Sequence, residues 1–141
     1  MEKEITHMVR EIAPKLLDIS GIGPVLAGTL LAEGGDVSRF IGEDSFAAYC
    51  GAAPIPWQSG IKSQVRVNAG GNRRLNMVLH LMALTRLRVD ERTRLFWNRK
   101  LAEGKTKRKV LRALKTYLAR EIYHVLRALL MPQELPASIA T

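Results

Sequence analysis

The sequence predicts a mainly helical (all-α) fold with about five to six helices and one long irregular loop. Apolar residues recur at helical spacing through most of the 141-residue chain. Glycine, proline or a capping polar residue separates these periodic segments. The 22-residue stretch from 51 to 72, GAAPIPWQSGIKSQVRVNAGGN, lacks the spacing. A loop of that length inside a domain is uncommon and is usually either functional or disordered.

Each helix is predicted from its apolar stripe and from the residues that punctuate its ends. Pro24 suits the first position of a helix and Asn72 suits an N-cap, whereas Gly34, Gly51 and Gly104 suit helix ends. The alternating residues 63–67 are compatible with a short strand, paired with 55–57 in a β-hairpin. We expect one domain over 1–131 and a flexible tail over 132–141. The predicted helices cover residues 3–17, 25–33, 43–49, 73–88, 90–103 and 107–130.

The charge of the chain favours a polyanionic partner. The net charge is +9, and it is unevenly distributed: residues 1–60 carry −4 and residues 61–141 carry +13. Such a balance is typical of proteins that bind nucleic acid or an anionic surface. No apolar run approaches the length of a membrane span, and the single Cys50 fits a reducing compartment. We therefore expect no membrane partner and a cytoplasmic location in a cell whose DNA lies in the same compartment.

No carboxylate occurs between Asp44 and Asp90. This acid-free window contains the long loop, and its only charged residues are cations: Lys62, Arg66, Arg73, Arg74, Arg86 and Arg88. Such a window lacks the carboxylates that paired-carboxylate or carboxylate–metal catalysis requires. It also has no negative side chain that would repel a phosphodiester. The three histidines have no Cys, Asp or Glu at metal-ligand spacing, so we expect no metal site within this chain.

A turn with two glycines, Gly21 and Gly23, lies between the first two predicted helices. Glycines allow a tight turn and a close approach to a ligand, and the following helix start offers unpaired amides to an anion. The pattern resembles the helix-hairpin-helix motif, which grips a DNA backbone without reading bases. A turn that needs small residues only for packing is the alternative.

Ser59 in the long loop is a candidate nucleophile. A serine before a glycine is usually a turn residue. However, a serine that attacks a phosphodiester needs cations to stabilise the developing charge. The window supplies four candidates for that role: Lys62, Arg66, Arg73 and Arg74.

Two further segments are candidates for binding phosphate. Arg73 and Arg74 follow the capping residue at a helix start, where they either contact phosphate or are merely solvated. The dense basic run 105–109 continues along the last predicted helix and suggests a nucleic-acid surface, although most basic helix faces are simply solvated. Its candidate phosphate ligands are Lys107, Arg108, Lys109 and Arg112.

The order of the motifs resembles one family. L-x-x-I-x-G-I-G at 16–23 is followed by Arg39-Phe40, by A-Y-C-G at 48–51, by Pro54 with Ser59-Gly60, and by G-N-x-x-L at 71–75. This series is similar to the C-terminal domain of the DEDD-type bacterial insertion-sequence transposases, relatives of the Piv/MooV DNA invertases. The resemblance covers residues 14–127.

The resemblance implies a two-part enzyme that works in DNA transposition. An N-terminal RuvC-like domain would supply the DEDD carboxylates and bind divalent metal (Mg²⁺), and the C-terminal domain would supply the nucleophilic serine, which falls on Ser59. The resemblance also implies a structured bridge RNA as a partner and a homo-oligomer of the full-length enzyme. It further implies that the cytoplasmic location is bacterial and nucleoid-associated. Because no RuvC-like domain has a counterpart in this sequence, we expect DNA binding but little or no strand transfer from the isolated chain. The alternative is a non-catalytic helix-hairpin-helix module that binds branched or bent DNA, or structured RNA.

Overall fold

The computed structural model describes residues 2–52 and 71–130, which form six α-helices, two short 3₁₀ helices and no strand. This confirms the mainly helical prediction. The predicted β-hairpin and the tail 132–141 lie outside the described residues. The 3₁₀ helices cover Pro14–Asp18 and Val37–Arg39. The α-helices are α1 (Glu2–Ile12), α2 (Pro24–Gly34), α3 (Glu43–Tyr49), α4 (Arg73–Val89), α5 (Glu91–Ala102) and α6 (Lys107–Leu130).

Capping side chains fix where the helices of the second half begin. The Asn72 side chain accepts a hydrogen bond from the Leu75 amide at 2.9 Å, and α4 starts at Arg73, directly after Asn72. The carboxylate of Asp90 accepts from the Thr93 amide at 3.1 Å at the start of α5. These bonds satisfy donors that the first turn of a helix otherwise leaves unpaired. They place α4 and α5 close to their predicted positions.

The first predicted helix is wrong in its second half. The sequence suggested one helix over 3–17, but α1 ends at Ile12 and a 3₁₀ helix begins at Pro14. Proline has no amide hydrogen to continue the helix, and its ring disfavours helical geometry in the residue before it. Ala13 accordingly has φ −149° and ψ 68°. Leu16 is fully buried, and it belongs to this 3₁₀ helix, so it reaches the core from a separate short element after α1 has ended.

The core lies where α6 packs against α3 and α4, with α2 against α4. Gly28 of α2 shows how closely the helices approach, because a Cβ atom there would lie 3.0 Å from the Ile5 side chain of α1. The small Cys50 is buried, and burial raises the pKa of its thiol to about 12. The largest fully buried side chains include Phe46, Leu16, Leu30, Leu75, Leu79, Met82, Leu118, Ile122 and Leu126.

Helix α4 is buried on one face only. The sequence of this helix has two apolar stripes, which together predict the central helix of the core, covered on both sides. One stripe is Leu75, Val78, Leu79 and Met82, and the other is Met77, Leu81 and Leu84. The stripe with Leu75 and Leu79 is buried, but Met77 is 55 % exposed. The exposed stripe opens into an apolar groove between α1, α2 and α4 with a volume of about 790 Å³. Within the described residues no further helix covers this face. None of the helices there is long and apolar enough to cross a membrane.

Candidate nucleic-acid interface

The two ends of the long loop lie side by side. The Asn72 amide donates a hydrogen bond to the Tyr49 carbonyl at 2.7 Å. A Cβ atom at Gly71 would lie 3.0 Å from the backbone nitrogen and Cα of Gly51, so only glycine fits this approach without movement. We call residues 49–52 and 71–72 the stem. The stem joins the start and the end of segment 53–70, which lies outside the described residues.

Helix α6 holds the stem from one side. The Thr116 hydroxyl donates to the Ala52 carbonyl at 2.6 Å. The Lys115 ammonium donates to the side-chain oxygen of Asn76 on α4. The nitrogen of the same Asn76 amide would lie 3.2 Å from a Cβ atom at Gly51, where φ is +73°. The stem is therefore packed against one edge of α4 and the N-terminal half of α6.

A basic cleft lies at this junction. Its volume is about 240 Å³, and none of the described residues that line it is a carboxylate. Three cations of α6 line the cleft at spacings of four and three residues, which places them on one face of the helix. We call this site the basic cleft. Its lining residues are Gly51, Ala52, Asn76, Arg108, Leu111, Arg112 and Lys115.

Carboxylate partners distinguish Arg120 from the cations in the N-terminal half of α6. In the C-terminal half, Arg120 forms ion pairs with Asp44 at 2.9 Å and with Glu43 at 3.8 Å. In the N-terminal half, none of the cations has a carboxylate partner among the described residues: Lys107, Arg108, Lys109, Arg112 and Lys115. The first turn of α6 also contains no acidic residue. Positive side chains at a helix N-terminus oppose the helix dipole, so an anion bound there would relieve an unfavourable arrangement.

Arg73 and Arg74 have different surroundings despite being adjacent. Arg74 lies 3.4 Å from the carboxylate of Glu33, while 78 % of its side chain is exposed. Glu33 also accepts a hydrogen bond from the Asn72 side chain at 2.9 Å. Arg73 is exposed and has no ion-pair partner among the residues that the structure describes. The window therefore contains no acid in sequence, but in the fold Glu33 of α2 lies beside Arg74.

The turn at Gly21 and Gly23 packs against α4 through one glycine and is open at the other. Gly21 has φ +93°, and a Cβ atom there would lie 3.0 Å from the Met82 carbonyl oxygen. The Arg86 side chain donates to the Ser20 carbonyl at 2.6 Å and pairs with Glu121 at 2.5 Å. Gly23 is exposed, and no atom of the described residues lies within 4 Å of its added Cβ position. The geometry gives Gly21 a packing role and leaves Gly23 available to a ligand.

Some predicted site residues lie outside the described part of the chain. These are Ser59, Lys62 and Arg66, so their geometry stays a prediction. Within the described ranges, no group of three or more His, Cys, Asp or Glu side chains could hold a metal ion.

Sequence reasoning assigned no site role to Asn76 or Thr116, and it placed Lys115 in the basic run without naming it as a phosphate ligand. The signal available for Lys115 was its spacing of three residues from Arg112 on the same helix face. No sequence signal connects Asn76 with Lys115, since 39 residues separate them.

Comparison with known proteins identifies the family. Residues 13–98 match the model of the transposase IS116/IS110/IS902 family. The chain belongs to this family. The matched segment contains both sides of the stem and all of α4, and it ends before α6.

Two curated relatives extend the similarity beyond that segment. The uncharacterized 42 kDa protein of insertion element IS900 from Mycobacterium paratuberculosis is 35 % identical over 82 % of this chain and 28 % of its own length. The uncharacterized 43.6 kDa protein of insertion element IS110 from Streptomyces coelicolor is 32 % identical over 84 % of this chain and 29 % of its own length. The chain thus spans less than a third of either relative.

Proposed function

We propose that this domain binds the DNA backbone during insertion-sequence transposition and contributes Ser59 as the nucleophile. The observation that carries the proposal is a row of cations on α6 that have no carboxylate partner among the described residues and lie beside the stem of the segment that contains Ser59. Membership in an insertion-sequence transposase family supplies the biological context. Unpaired surface cations bind phosphate largely without regard to sequence, which suits a domain that positions DNA.

The proposed reaction is a phosphoryl transfer to serine. The Ser59 hydroxyl oxygen attacks the phosphorus atom, a new Oγ–P bond forms, and the P–O bond to one deoxyribose breaks. The serine proton is lost and the departing oxygen gains a proton. Lys62, Arg66, Arg73 and Arg74 would stabilise charge on the non-bridging phosphoryl oxygens. Arg73 suits this role better than Arg74, because Glu33 already lies beside Arg74.

Divalent metal would come from outside the described residues. The family resemblance implies carboxylates that bind Mg²⁺, but His, Cys, Asp and Glu side chains do not gather into a metal site in residues 2–52 and 71–130. These residues therefore do not provide the ligands that a divalent metal site needs. We propose that an N-terminal RuvC-like domain holds it and that a homo-oligomeric full-length enzyme, with a structured guide RNA, brings the two parts together.

Substitution of Ser59 tests the nucleophile. In a full-length enzyme that contains this domain, Ser59→Ala should abolish the covalent protein–DNA adduct seen on a denaturing gel while DNA affinity stays within about twofold. Ser63→Ala is the matched control, since Ser63 lies in the same acid-free window but is not followed by glycine. A Ser59→Ala enzyme that still forms the adduct would show that another residue attacks the DNA.

A non-catalytic module that binds branched or bent DNA is the second candidate. The exposed turn at Gly23 favours it, because a helix-hairpin-helix needs open backbone amides at that point. Competition between duplex DNA, branched DNA and structured RNA, repeated at several salt concentrations, separates the partners. A strong preference for branched DNA together with full recombination by Ser59→Ala would favour this second function.

A further inference from the structure

We propose that the basic cleft is a discrete binding site for a single phosphate group of a nucleic-acid backbone, with Arg112 and Lys115 as its main ligands. This inference rests on the proposed function and deepens it, because it names one site within a broad basic surface. It also separates the cations of the basic run into two classes. Arg108 and Arg112 line the cleft, whereas Lys107 and Lys109 do not.

The size of the cleft selects a small ligand. Pockets for drug-sized molecules have volumes of about 300–1,000 Å³, and the cleft has about 240 Å³. A phosphate group, the smallest anionic unit of a nucleic-acid backbone, fits within this volume. A guanidinium offers a planar set of donors that matches phosphate geometry, and an ammonium adds a compact positive charge.

The electrostatics of the cleft favour an anion. Arg108, Arg112 and Lys115 are the charged groups that face the cleft from α6, and the stem and α4 contribute only uncharged groups. Burial lowers the pKa of the half-buried Lys115, and repulsion from the Arg112 guanidinium lowers this pKa further. A bound phosphate would offset both effects, because an opposite charge nearby favours the protonated ammonium.

The cleft is also coupled to the stem. The Asn76 amide contacts Gly51 through its nitrogen and accepts from Lys115 through its oxygen. The neighbouring Thr116 hydroxyl holds the Ala52 carbonyl. A phosphate on Lys115 would therefore lie against the groups that position the stem. Its binding should slow the hydrogen exchange of the stem amides.

Titration with inorganic phosphate, followed by amide NMR, tests the site. We expect saturable shifts of the Gly51 and Ala52 amides and of the Asn76 side-chain amide. Arg112→Gln should weaken this binding at least about tenfold, whereas Lys109→Gln should change it less than about twofold. The two variants remove the same charge from exposed positions of one helix, and Lys109 lies outside the cleft.

Two variants of Lys115 keep the test independent of folding. Lys115→Gln can still donate to Asn76, so it removes the charge without leaving that oxygen unpaired. It should lose phosphate binding with an unchanged melting temperature, and Lys115→Arg should restore most of the affinity.

The outcomes separate this inference from the proposed function. Equal losses in Arg112→Gln and Lys109→Gln, or no shift at the three amides in a protein that still binds duplex DNA, would overturn the discrete site and leave DNA binding intact. Absence of binding to both phosphate and duplex DNA would overturn the proposed function as well.

Discussion

Gly71→Ala tests whether the stem is closed by direct backbone contact. The added Cβ atom would lie 3.0 Å from two backbone atoms of Gly51 and 3.1 Å from the Tyr49 carbonyl oxygen. Backbone atoms cannot rotate away as a side chain can, so the two sides of the stem must separate. Such overpacking typically costs about 1–3 kcal/mol. The separation also lengthens the 2.7 Å hydrogen bond from the Asn72 amide to Tyr49, which is worth about 1 kcal/mol.

We expect the free energy of unfolding to fall by about 2–3 kcal/mol, which lowers Tm by roughly 8 °C for a domain of this size. Thermal melts monitored by circular dichroism measure the change. Gly23→Ala is the control, because it adds the same methyl group at a position where φ is −97° and no atom of residues 2–52 and 71–130 lies within 4 Å. If the two variants melt within about 2 °C of each other, the stem is not closed by this contact.

Three further predictions concern the fold. Gly21→Ala should destabilise the protein by about 2 kcal/mol, because φ of +93° disfavours a side chain and the new methyl group meets the Met82 carbonyl; a wild-type Tm would contradict this. Cys50 should react with a thiol-specific disulfide reagent at pH 8 only as fast as the protein unfolds, since burial raises the pKa of its thiol to about 12; immediate reaction of the native protein would refute it. Asp90→Ala should cost about 1 kcal/mol at neutral pH through loss of the cap to Thr93. The same hydrogen bonds lower the pKa of Asp90, so this difference should be present above about pH 4 and shrink as the pH falls further, as acid-dependent melts would show.

Helix ends marked by local signals were predictable from sequence. Thr106 precedes α6 and accepts a hydrogen bond from the Lys109 amide at 3.2 Å, and α6 covers Lys107–Leu130 as predicted. The error in the first helix is also local, because Pro14 was placed inside a helix that it ends. The outcome for α4 is not local. Two apolar stripes can be read from its sequence, but which one is covered depends on where α2 and α6 pack.

Whether each cation has a carboxylate partner could not be predicted from sequence either, because the partners come from other helices. Arg74 and Arg86 lie in a window without carboxylates, yet Glu33 and Glu121 reach them from other helices. The basic cleft could not be predicted for the same reason, because its walls come from the stem, α4 and α6, which are far apart in sequence. The density of the basic run was visible beforehand, but the division between cations that line the cleft and those that do not required the packed structure.

The salt dependence of duplex DNA affinity tests the central claim, that the α6 cations lining the basic cleft beside the stem bind the DNA backbone. The measurement compares a triple variant of the cleft, Arg108→Gln with Arg112→Gln and Lys115→Gln, with a control of equal charge reduction at the exposed Lys3, Arg10 and Lys15 of the acidic half. The cleft variant should bind DNA at least about tenfold more weakly, and its slope of log K against log salt should become shallower by about 0.9 for each phosphate that it no longer neutralises. The control should keep the wild-type slope. Equal weakening in the two variants would show that net charge alone draws DNA to the protein and would contradict the claim.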